Sequence, residues 1–153
     1  MRIISEQELK NILDKHGKWL IKENGGERAD LSYANLRSAD LSYANLSYAN
    51  LSYADLSSAD LRYANRSYAS LRYANLRYAN LSSANLSSAN LSSADLRYAD
   101  LRYADLRYAN LSSANLSSAN LSYANLSYAD LMIFQFQRHQ AFYSLDDNLR
   151  IGC

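Results

Sequence analysis

The chain has 153 residues, with 16 basic against 15 acidic side chains and a formal net charge of +1. So balanced a chain sets up no long-range field for a nucleic acid or an anionic membrane, and its one cysteine, Cys153, has no internal disulfide partner. No run of eighteen apolar residues suggests a membrane-spanning helix, and the start does not resemble a signal peptide, so a soluble, cytoplasmic, recombinant-type product is expected.

The first 28 residues read as a capping segment. Met1 to Ile4 suits a short strand. Ser5-Glu6-Gln7-Glu8 has the spacing of a capping box, the Ser5 hydroxyl accepting from the Glu8 amide and the Glu8 carboxylate reaching back to Ser5, with Ile4 and Leu9 placed as a hydrophobic staple. A helix is therefore expected from Glu6. Leu9, Ile12, Leu13, His16, Trp19 and Leu20 share one side of it, Lys10, Asp14, Lys15, Lys18 and Lys22 fall away, and Asn24-Gly25-Gly26 should stop it. Gly17 weakens its middle by roughly 1 kcal/mol.

From Ala29 to Leu131 one phrase recurs without a gap: Ala, Asp or Asn, Leu, Ser or Arg, Tyr or Ser. Its alanines stand at every fifth position from Ala29 to Ala129, twenty-one units. A helix turns about 100° per residue, so leucines five apart would wind around it and form no stripe. On a continuous strand they would alternate between faces. The conflict vanishes if every unit turns a corner, so that Leu always points inward and layers stack about 4.8 Å apart.

Runs such as Ala29-Asp30-Leu31-Ser32-Tyr33 and Ala94-Asp95-Leu96-Arg97-Tyr98 resemble the pentapeptide-repeat family, whose phrase is Ala-(Asp/Asn)-Leu-X-X. The resemblance implies an all-β solenoid: a right-handed quadrilateral parallel β-helix over residues 29–133, of about five coils, with Leu and Ala inside and an N-terminal α-helical cap. Four units per coil would stack residues twenty apart. Leu31, Leu51, Leu71, Leu91 and Leu111 should then form one interior column, and tyrosines such as Tyr33-Tyr53-Tyr73 and Tyr103-Tyr123 outer ladders. Stacking also predicts like-charge neighbours, Asp40 under Asp60 and Arg77 under Arg97. Arg66 is an interior anomaly, standing where neighbouring units have Leu, and Ser70 replaces the expected Asp or Asn. The expectation is that the Arg66 guanidinium reaches out to solvent or that one corner bulges, since an unpaired buried charge costs several kcal/mol.

Residues 134–153 read as a C-terminal cap or tail: the aromatic Phe134 to Leu145 suits a lid or a homodimer contact, and Cys153 a free thiol. Four glycines exclude a phosphate loop or dinucleotide fingerprint, and the histidines, His16 and His139, lie in opposite end-pieces. No catalytic, cofactor-binding or metal-binding residues are assigned, and neither an enzyme activity nor a nucleic-acid, membrane or small-molecule partner is expected. The repeat, written in so few residue types, is similar to synthetic pentapeptide-repeat proteins. It implies a structural scaffold, an engineered consensus solenoid without a ligand of its own, as a monomer or C-terminal homodimer. The alternative is an interaction protein like the family members that mimic DNA and inhibit gyrase.

Overall fold

The computed structural model describes residues 1–131; the expectations for residues 134–153, including Cys153, lie outside them. A short strand β1 (Arg2–Ile3) leads into helix α1 (Glu6–Leu20), and a second strand β2 (Ala34–Asn35) pairs with β1 in parallel, Arg2 beside Ala34 and Ile3 beside Asn35. Beyond β2 the chain is a stack of single-residue parallel bridges, each linking residues twenty apart, from Asp30–Asn50 to Asn110–Asp130. Four five-residue units therefore close one layer. β1 extends one side of the stack by a rung: Asn35, its partner, also bridges to Asp55.

Three backbone bonds tie each unit to the next layer. In the first, Leu31 N–H donates to Asn50 O at 2.7 Å, Asn50 N–H to Ala29 O at 3.0 Å, and Tyr33 N–H to Ser52 O at 3.0 Å. The corner is a tight turn from Leu to Ala, closed by Ala34 N–H donating to Leu31 O at 3.2 Å. Its third residue has φ of +57° at Tyr33, and positive φ recurs at every Tyr or Ser of this position through Tyr128. This is the dihedral demand of a type II turn, which ordinarily favours Gly or Asn there. The conformation costs a side chain about 1–2 kcal/mol, so each corner must recover it from its neighbours.

Part of the recovery lies in the Asp/Asn position. The Oδ1 of Asp30 accepts from Ser32 N–H at 3.0 Å and that of Asn45 from Ser47 N–H at 3.2 Å, and the same bond spans every unit from Asp30 to Asn125 except at Ser70. An acceptor two residues before the amide holds the turn locally. Since only Oδ1 is needed, Asp and Asn both serve.

The core is one continuous column of Leu and Ala. Leu31, Leu51, Leu71 and Leu91 are fully buried and Leu111 is 2% exposed, whereas Leu116, Leu121, Leu126 and Leu131 are partly buried. At the other end Ile4, Leu9, Ile12 and Leu13 pack against that core. Helix α1 starts as its sequence dictates, with the Ser5 hydroxyl accepting from Glu8 N–H at 3.1 Å. The reciprocal half of the capping box is not made: the Glu8 carboxylate pairs with Arg2 at 2.7 Å, because β1 brings that guanidinium beside the first turn. The helix also stops before its glycines. Lys22, at φ +59°, donates to Trp19 O, and Glu23 N–H donates to Lys18 O at 2.9 Å, which is a Schellman cap with lysine in the glycine position. Gly26 serves a different purpose: a Cβ there would lie 2.4 Å from Trp19 N and 2.6 Å from Trp19 Cα, so the returning chain crosses the helix backbone at a distance open to glycine alone.

Candidate functional site

The described residues offer four places where chemistry or recognition could reside: the interior at Arg66, the junction at His16, a cleft beside α1, and the outer ladders.

Arg66 sits in the leucine position between Leu46 and Leu86 and is wholly buried. Its backbone keeps the register, with Arg66 N–H donating to Asn85 O at 2.8 Å and Ala69 N–H to Arg66 O at 3.0 Å. The corner does not bulge and the guanidinium does not reach solvent, contrary to the expectation from the sequence. The inward Cβ direction is fixed by the bridges on either side, so the side chain must follow it. Nε, Nη1 and Nη2 all lack a hydrogen-bond partner, and burial pushes the group down to about 9. It is still a cation at neutral pH, with no countercharge beside it. Ser70, in place of the usual Asp or Asn, leaves its unit without the local turn bond and instead shares a hydroxyl contact with Ser52 at 2.7 Å. Arg66 and Ser70 therefore form no joint binding site.

His16 is wholly buried where α1 meets the first unit. Its Nδ1 accepts from Ala29 N–H at 3.1 Å, which fixes a neutral ring with the proton on Nε2. Burial is the main cause holding its pKa below the ordinary value; the Arg28 charge adds to this, while the Ser47 backbone opposes it. That backbone closes no hydrogen bond with Nε2, which stays unpartnered, so the buried ring is satisfied on one side only. The ring stacks on Trp19 at 5.6 Å, and Trp19 meets Tyr48 edge-on at 6.2 Å, linking α1 to one outer ladder.

The cleft beside α1, about 250 Å³, is lined in part by Arg2, Lys15, Glu27, Arg28 and Asp30. Arg2 is bound to Glu8 and to the Asp30 carbonyl, and Lys15 to Glu27 at 2.9 Å. The volume falls below the usual range of ligand pockets, and its ion pairs close on themselves. Among the described residues no group of His, Cys, Asp or Glu could hold a metal, and no helix is long and apolar enough to cross a membrane.

The outer faces carry the regular chemistry. Seven tyrosine pairs stack one layer apart with ring centroids 4.8–5.1 Å apart and planes within 16°, among them Tyr33–Tyr53–Tyr73 and Tyr103–Tyr123. Four Asp–Arg pairs two residues apart, Asp60–Arg62, Asp95–Arg97, Asp100–Arg102 and Asp105–Arg107, form forks with oxygens 2.6–2.7 Å from Nη2. Each arginine side-chain bond holds its aspartate below the usual carboxylate range. The forks temper the like-charge stacks read from the sequence. Asp60 turns to Arg62, while Asp40 takes the Ser42 amide and hydroxyl. Arg97 is taken by Asp95, while Arg77 lies over the Tyr78 ring at 5.4 Å with Nε buried and unpartnered. Sequence reasoning missed these forks, although Asp-Leu-Arg at one spacing was a legible signal.

The profile of the family described as Pentapeptide repeats (8 copies) matches residues 27–62, 39–77, 67–102 and 99–132. Among solved structures, the pentapeptide repeat protein Rfr23 from the cyanobacterium Cyanothece 51142 is 40% identical with a TM-score of 0.58, over 63% of each chain. One from the thylakoid lumen of Arabidopsis thaliana is 26% identical with a TM-score of 0.59, over 61% of this chain and 65% of its own. The chain thus spans slightly less than two thirds of the length of either. No curated protein matches. With Leu and Ala inside, four units to a layer and this match through the whole repeat, the chain belongs to the pentapeptide-repeat family, and its solenoid is the right-handed quadrilateral β-helix those relatives imply.

Proposed function

We propose that the protein is a non-catalytic structural scaffold: an engineered consensus solenoid of about five coils, capped at its N-terminal end by α1. The observation that carries this reading is the uninterrupted bridge register, seventeen bridges at one spacing, which continues even through Arg66 and Ser70. A surface shaped for one partner has no need of such uniformity, and the plain vocabulary of the repeat supports an engineered origin. The apolar face of α1 against the core supports the capping role. The reading includes no nucleic-acid or membrane partner, and a monomer or C-terminal homodimer.

If each layer contacts its neighbours alone, layers are interchangeable. Deleting residues 71–90 should leave a soluble solenoid with the same β-rich circular dichroism and a modestly lower melting temperature; loss of folded signal would refute modularity. The DNA-mimic alternative is weighed down by charge. A duplex carries one negative charge per about 1.7 Å, whereas four of the repeat's aspartates are forked onto their own arginines. A gyrase supercoiling assay should show no inhibition, and clear inhibition would reinstate the alternative.

A further inference from the structure

The outer ladders are interrupted in a regular way. In one column Tyr43 stacks on Tyr63 at 5.1 Å and Tyr103 on Tyr123 at 5.0 Å, with Ser83 as the rung between the pairs. In the adjoining column Tyr48 stacks on Tyr68 and Tyr108 on Tyr128, both at 5.0 Å, with Ser88 between. The backbone does not skip at either place. Tyr63 N–H donates to Ser82 O at 3.3 Å and Ser83 N–H to Arg102 O at 2.8 Å; Tyr68 N–H donates to Ser87 O at 3.1 Å and Ser88 N–H to Arg107 O at 2.8 Å. Ser83 and Ser88 hold φ of +57° and +56°, the conformation of the tyrosines around them. Each rung is present and its ring is missing.

Two layers at the strand spacing separate the facing rings by roughly 10 Å. One aromatic plane midway would lie about 5 Å from each wall, within the range that stacked rings prefer and the separation the filled ladders use. The walls have an open side: Tyr63, Tyr68, Tyr103 and Tyr108 are 54–60% exposed, against 44% for Tyr53, which has a ring on both faces. We propose that these are two vacant-rung slots, Tyr63/Tyr103 over Ser83 and Tyr68/Tyr108 over Ser88, each taking one planar, electron-poor aromatic ring of the aromatic-cation class. Tyrosine faces are the negative side of the ring quadrupole and attract such a guest. The cations that precede the walls, Arg62, Arg102 and Arg107, are neutralised by Asp60, Asp100 and Asp105, so they do not repel it. The slots go beyond the scaffold reading and depend on ring spacing, not on the origin of the chain.

The test is titration of the full chain with proflavine, a planar aromatic cation, followed by dye fluorescence and by the ring-proton shifts of Tyr63 and Tyr103. The expected result is saturable binding of two dyes with upfield shifts of those rings. Ser83→Tyr/Ser88→Tyr fills both slots and should abolish binding while raising the melting temperature. Tyr63→Ser/Tyr68→Ser removes one wall of each and should weaken binding about tenfold or more. Ser118→Tyr, which would stack directly on Tyr98 with no empty rung between them and so completes no slot, should leave binding unchanged. Absence of saturable binding, or equal binding by the filled variant, would overturn the proposal.

Discussion

Replacing Arg66 with leucine should raise the stability of the fold by several kcal/mol. The native guanidinium is wholly buried, with all three nitrogens unpartnered, and burial pushes its pKa from the ordinary arginine range down to about 9. At 1.36 kcal/mol for each tenfold change, the charged form is about 5 kcal/mol less comfortable inside than in the unfolded chain. Leucine removes that cost and restores the packing of Leu46 and Leu86 around it. For a chain of this size about 1 kcal/mol moves the melting temperature by about 2–4 °C, so Arg66→Leu should melt on the order of 10–20 °C higher by circular dichroism. The pH dependence gives a second, independent reading. The folded pKa lies below the unfolded one, so as pH rises above about 9 the unfolded chain keeps a proton that the folded chain loses, and stability rises with pH there. The gap between variant and parent should therefore be full below about pH 9 and shrink above it. A melting temperature unchanged or lower in Arg66→Leu, or a gap indifferent to pH, would refute the reasoning.

Tyr53 has a ring on each side at 4.8 Å and Tyr128 has one at 5.0 Å; at about 0.5–1.5 kcal/mol per pair, Tyr53→Ser should lower stability about twice as much as Tyr128→Ser in urea unfolding. Asp100→Asn keeps the turn acceptor and loses an exposed fork, so the change should stay within about 1 kcal/mol. Asp100→Ala also orphans the Arg102 amide and should cost about 1 kcal/mol more. Because arginine holds Asp95, Asp100 and Asp105 below the usual range, their contribution is present above the unfolded pKa near 4 and is lost as pH falls below it; acid titration of Asp100→Asn should show a shallower loss. A methyl group on Gly17 would meet nothing within 4 Å, and Gly17→Ala should stabilise α1 by about 1 kcal/mol, whereas Gly26→Ala would strike the Trp19 backbone and should cost about 1–3 kcal/mol or more. For His16, whose folded pKa is lowered, the unfolded state binds the proton first as pH drops below about 6.5. Amide-exchange protection at Ala29 should fall between pH 7 and pH 5, and unchanged protection would remove histidine from the account.

The period of five, with leucine in every unit but that of Arg66, determined by itself that the chain must turn a corner each time, because neither a helix nor a continuous strand can bury leucines so spaced. The twenty-residue stacking then made the tyrosine ladders legible, and Ser5-x-x-Glu8 placed the start of α1. The missed details depend on neighbours that local pattern does not reveal. Glu8 abandons the reciprocal cap because β1 delivers Arg2 to it. The helix stops on Lys22 because the chain must turn back across Trp19, and Gly26 is needed where that crossing happens. Sequence alone marked Arg66 as anomalous but not where its charge would go. That was decided by the bridges above and below, whose register fixes the direction of every interior side chain before its chemistry is consulted.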